Sequence, residues 1–169
     1  ITGTGAGGDY WRFVDAGASP VYDFVDFGYA STSGLPPDEV TELFGAMVVT
    51  LAGSGCDAVI IEIADGLFQK ETHALVNADA FRTRVSGVVF SADSSVSAIA
   101  GVKWLAASGV VPLGISGLVT RSPLMVREVK GWTDLPVLKP KAIADLDVGE
   151  ILWRACVERP AGEVAQTVD

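Results

Sequence analysis

In AVIIEIADGLFQKET, residues 58–72, Glu62 interrupts the apolar run Val59-Ile60-Ile61, and Asp65-Gly66 follows where the run stops. A buried, unpaired carboxylate is expensive, so Glu62 must be paired, protonated or facing a site. ITGTGAGGD, residues 1–9, carries Gly3-x-Gly5-x-x-Gly8. That is the spacing of a dinucleotide fingerprint, in which glycines admit a pyrophosphate and an acid, here Asp23 or Asp26, binds a ribose. The strand before it is almost missing, so a plain glycine-rich turn is the better reading of the two. Thr2 and Thr4 flank these glycines, placed to position a phosphate or substrate, or simply to bond within the loop. Asp9 and Asp15 follow the loop and Asp65 shares the turn after Glu62; each is an oxygen ligand for a hard cation, or a helix cap or turn acid. Asp93, in SADSS, ends a second apolar run and suits a cap on the next helix. Tyr10 and Trp11 could line a pocket or pack.

Composition narrows these options. The chain has 169 residues, is 49% hydrophobic and carries a formal charge of −9. Its pI is near 4.5 and its mean hydropathy is positive. That composition describes a folded domain with a real core. The acidity argues against nucleic acid and against a polybasic membrane contact. No apolar run reaches the roughly 18 residues of a membrane span. Cys56, Cys156 and His73 lack partners at metal-ligand spacing, so both cysteines read as reduced packing residues and a cytoplasmic location is expected. The anticipated partner is a small-molecule substrate, with no nucleic acid or membrane; a homodimer is left open.

The elements that must position these residues alternate. A short helix is predicted over 9–17. A second starts at Pro36-Pro37, with Val40, Leu43, Phe44, Met47, Val48 and Leu51 at helical spacing, and ends at Gly53–Gly55. The run at 58–63 predicts an interior parallel strand, with Glu62 at its carboxyl end in a cleft shared with the glycine loop. A helix carrying Leu75, Phe81 and Val85 follows. Strands are predicted at 87–93 and 110–119, separated by a helix over 94–108 with Val96, Ile99, Val102, Trp104 and Leu105 mostly on one side. A helix over 122–132, a short strand at LPVLK and a last helix capped by Asp145 or Asp147 complete the series. Alternating elements with apolar strands predict an α/β fold, a three-layer, mostly parallel sheet with helices on both faces. One domain over 1–158 and a tail over 159–169 are expected.

This order of parts resembles the later portion of dethiobiotin synthetase and the cobyrinic acid amide synthase group of P-loop NTPases. ITGTG and RFVDAGA resemble that family's Thr/Ser-Gly loop and Asp-bearing helix, and IIEIADGLFQ its strand ending in a magnesium-associated Glu. GVVFSADSSVSAIAGVKWLAASGVVPLGISGLV and LPVLKPKAI follow its later order. The resemblance implies Mg²⁺ held by Asp15 and Glu62, with Glu62, Thr2 and Thr4 at the reaction centre. It implies ATP bound by Gly3, Gly5, Ser116, Gly117 and Leu138. The implied activity is ATP- and Mg²⁺-dependent activation or ligation of a small carboxylate metabolite, as in a ligase. Two positions depart: Ile63-Ala64-Asp65-Gly66 replaces the family's glycine-rich run, and Ser116 stands where an Asn is common. No G-x-x-x-x-G-K-[ST] occurs, so that loop is expected upstream of Ile1, and this chain is expected to bind ATP weakly or not at all. A non-catalytic regulatory or interaction domain is the alternative, and a dinucleotide-binding domain the third.

Overall fold

The computed structural model describes residues 1–5, 7–144 and 146–158. The expected tail at 159–169 and Asp145, one of the two cap candidates, lie outside the described positions, whereas Asp147 falls within the last helix, Leu146–Glu158. The chain forms two compact units, Ile1–Phe81 and Arg82–Asp169.

The first unit is helical. Helix α1 spans Gly8–Asp15 and α2 spans Pro37–Ala52. Pro37 sits in the first turn of α2, where its missing N–H goes unused, and Asp38 and Glu39 complement the positive end of the helix dipole. Val40, Leu43, Phe44 and Met47 form the buried stripe, as their spacing predicts. Helix α3, Lys70–Asn77, packs against α2. Phe44 meets Phe81, from the start of α4 (Asp79–Arg84), with ring centroids 6.0 Å apart. A second cluster joins Phe24 to Leu43 and Met47.

The second unit holds the sheet. Strand β1, Val89–Ser91, pairs in parallel with β2, Gly114–Ser116, in the register Phe90 to Ile115. Helix α5, Ser95–Ala107, connects them. Ser94 and Ser97 cap its start reciprocally, and the Asp93 carboxylate accepts from the Ser97 hydroxyl. The buried face of α5 consists of Ser95, Ala98, Gly101 and Leu105, whereas Val96, expected inside, is exposed. Small residues thus bring α5 close to its neighbours. A 3₁₀ turn at Leu118–Arg121 leads to α6, Pro123–Lys130, which starts on the Ser122 cap. The segment at 135–139 touches β2 through one parallel bridge, Val137 to Ile115. Short α7, Pro140–Ile143, and α8, Leu146–Glu158, follow. Ala92, Ala98, Ile115, Val119 and Val129 make this unit's core.

The three-layer parallel sheet is therefore not formed. Among the described residues the sheet has two strands, and 58–64 belong to no strand. Ile60, expected in the sheet interior, is 74% exposed. The physical reason lies in the backbone partners. The carbonyl of Ala64 accepts from the Thr2 and Thr72 hydroxyls, and that of Glu62 from the Ile1 nitrogen. At Ala64, side-chain hydroxyls stand where a neighbouring strand's N–H group would be.

Candidate functional site in the first unit

The glycine segment is clamped from two sides. The Ile1 nitrogen donates to Glu62 O at 2.6 Å, and the Thr2 hydroxyl to Ala64 O at 2.6 Å. On the other side, Gly3 N donates to the Thr32 hydroxyl at 2.8 Å, Thr32 N to Gly3 O at 3.0 Å, and Gly5 N to Ala30 O at 3.0 Å. Thr4 pairs with Ser31 in an antiparallel bridge. Gly3 adopts φ +126°, which a side chain would resist. A Cβ on Gly5 would fall 2.7 Å from Val25 Cγ2. These glycines serve backbone shape and close packing.

Beside this clamp lies a cavity of about 540 Å³. Phe44, Met47, Val48 and Leu51 of α2 form one wall, and Val59 and Ile61 form another. Tyr10 and Phe13 reach it from α1. Cys56 borders it, its thiol donating to Leu51 O. The apolar run at 58–61 thus lines a cavity where a sheet interior was expected.

The charged side chains of the lining are acidic. Asp9, Asp23, Glu62 and Asp65 contribute to it, and among the described residues none in the lining is Lys, Arg or His. Asp65 takes φ +67°, a left-handed conformation that Asp tolerates better than most side chains. Asp23 also accepts from Val25 N, and Asp26 from Asp23 N, so this pair of acids shapes a turn.

The cavity gathers Thr2, Gly3, Thr4, Gly5 and Glu62 from the sequence expectations, together with Asp9, Tyr10 and Asp65. Asp15 does not join them; it ends α1 and is exposed. Trp11 is exposed on α1, outside the lining. Ser116, Gly117 and Leu138 belong to the second unit. There the buried Ser116 hydroxyl donates to Leu138 O at 2.7 Å, and the Leu138 side chain lies against Gly114.

The residues present do not fit the magnesium nucleotide that the resemblance implied. Asp15 and Glu62 share no lining, and among the described residues no group of three or more His, Cys, Asp or Glu could hold a metal ion. The N–H groups of Gly3 and Gly5, needed for a phosphate cradle, are bound to Thr32 and Ala30. Sequence reasoning missed Phe13 and the cavity role of Val48 and Leu51, and singled out Asp23 only as a ribose-binding acid. Its one available signal was the apolar stripe of α2, which is wider than the core requires.

No protein-family model, curated protein or solved structure matches the chain.

Proposed function

We propose that the first unit is a small-molecule binding module without catalytic machinery of its own. Its ligand is compact and mainly apolar, with a positively charged or hydrogen-bond-donating end. The apolar cavity carries this reading: its volume falls in the range of ordinary ligand sites, roughly 300–1,000 Å³. The lining's excess of carboxylates over cations sets the polarity of the end group. An anionic end would meet uncompensated like charge there.

The test uses three apolar fluorophores of similar size: neutral N-phenylnaphthylamine, one bearing a trimethylammonium group and one bearing a sulfonate. The cationic probe is expected to bind tightest and the sulfonate weakest. Asp23→Asn with Glu62→Gln should narrow that order, by about fivefold per carboxylate if each contributes about 1 kcal/mol in water. Val48→Trp, which fills the cavity from a half-buried position, should weaken all three. Binding that ignores Val48→Trp would place the probes elsewhere and sink the reading.

A second reading is ATP- and Mg²⁺-dependent activation of a small carboxylate metabolite. It draws on the meeting of Thr2, Thr4 and Glu62 at one wall. The occupied N–H groups and the anionic lining weigh against it. Calorimetry with Mg-ATP separates the two: binding heat that Glu62→Gln removes would favour the ligase, and absent heat would leave the binding module.

A further inference from the structure

We propose that α1 is a lid over this cavity, hinged on glycines at both ends and opening to admit the ligand; the proposal rests on the binding reading above. The helix supplies Asp9, Tyr10 and Phe13 to the lining, yet none of its residues is buried. Among the described residues, every hydrogen bond and ion pair of 7–18 has its partner inside that stretch. Trp11 N, Ala16 N, Gly17 N and Ala18 N donate to carbonyls of Gly7, Arg12, Val14 and Phe13, and Arg12 pairs with Asp9. Even the ring contact of Trp11 is with Tyr10.

The flanks differ. Residues 1–5 are tied by hydrogen bonds to 30–32 and to 62–64. Asp23–Tyr29 is knotted by its own turns. The helix therefore hangs between two anchored segments and is held down only by the packing of half-buried Tyr10 and Phe13. Segments with few buried contacts and exposed backbone bonds open at the least free energy.

The glycines agree with this. Gly17 takes φ +88°, where the chain leaves the helix. Gly8, inside α1, needs no such conformation, and a Cβ there would meet nothing within 4 Å. Neither crowding nor backbone shape calls for glycine at position 8. Its effect is to weaken the helix at its first turn, which suits a hinge.

Hydrogen exchange on the full chain tests the lid. In the free protein the amides of Arg12, Phe13 and Val14 should exchange at least about a hundredfold faster than those of Phe44 and Met47 in α2. Saturation with N-phenylnaphthylamine should slow the α1 amides about tenfold or more and leave α2 unchanged. Gly8→Ala should slow both association and dissociation of the probe severalfold with little change in affinity. If α1 exchanges as slowly as α2 in the free protein, or if the probe binds without slowing α1, the lid is wrong while the cavity stands. If the probe does not bind at all, the cavity reading fails and the lid falls with it.

Discussion

The hydroxyls of Thr2 and Thr72, 70 positions apart, meet at 3.3 Å, and both point at the carbonyl of Ala64. This contact ties the amino-terminal segment, α3 and the cavity wall at 58–65 into one body. Thr72→Val removes one of two donors to Ala64 and should lower stability by about 1 kcal/mol. Thr2→Val should do the same. The double variant leaves the half-buried carbonyl without either hydroxyl, so its loss should exceed the sum, reaching about 2–3 kcal/mol. Urea unfolding of the four proteins measures this; strict additivity would mean that the hydroxyls do not share an acceptor.

Cys56 gives the cavity a chemical reporter. Its thiol is half-buried at the lining, whereas Cys156 lies in the other unit. A bound apolar probe should shield Cys56 from alkylation, by about tenfold at ten times the dissociation constant, and leave Cys156 unaffected. Mass spectrometry of the alkylated peptides reads both rates in one sample. Equal protection of both thiols would point to a global effect and away from the cavity.

Glu71 makes stability depend on pH. It is buried, and the Gly34 N–H beside its carboxylate, with its own backbone N–H, holds it below the usual carboxylate range. A depressed pKa means that the folded state favours the ionised form. Its stabilisation is complete above the unfolded value, about 4.3, and fades as pH falls through the lower folded one. Glu71→Gln should therefore reduce the melting temperature at about pH 7 and differ less from the parent at about pH 3. A gap that stays constant across that range would remove Glu71 as the titrating group.

What the sequence could tell depended on how locally each feature is encoded. The helices at 37–52, 95–107 and 123–130 were legible because Pro, Ser and Gly punctuate them and apolar spacing runs between. The parallel relation of 89–91 to 114–116 followed from two apolar runs with a helix between them. The run at 58–63 misled because hydrophobicity does not say what covers a residue: Val59 and Ile61 are half-buried at a cavity, and Ile60 is exposed. A cavity wall and a sheet interior require the same residues, and only the partners of the Glu62 and Ala64 carbonyls distinguish them. The meeting of Glu62 with the glycine segment was anticipated. Asp23 and Phe13 were not seen as its neighbours, since that placement is set by contacts distant in sequence.

Gly117 separates a ligand-facing glycine from a structural one. The sequence resemblance gave it a place beside a nucleotide base. It sits just after β2 at φ +94°, ψ −161°, a region that is essentially closed to other residues. A Cβ there would stand 2.5 Å from Ala92 O and 2.6 Å from Ser91 Oγ. The serine hydroxyl can rotate away. The carbonyl cannot, because Ala92 N is bound to Ser116 O and Val119 N to Ala92 O itself. Gly117→Ala therefore combines backbone strain of about 1–3 kcal/mol with a clash against fixed backbone. The expected loss is at the upper end of single-residue effects, above about 3 kcal/mol. Unfolding followed by the fluorescence of Trp104 and Trp132 reports it. If Gly117 served only to admit a ligand, alanine would leave the unfolding midpoint in place and impair binding alone. An unchanged midpoint would overturn the structural assignment.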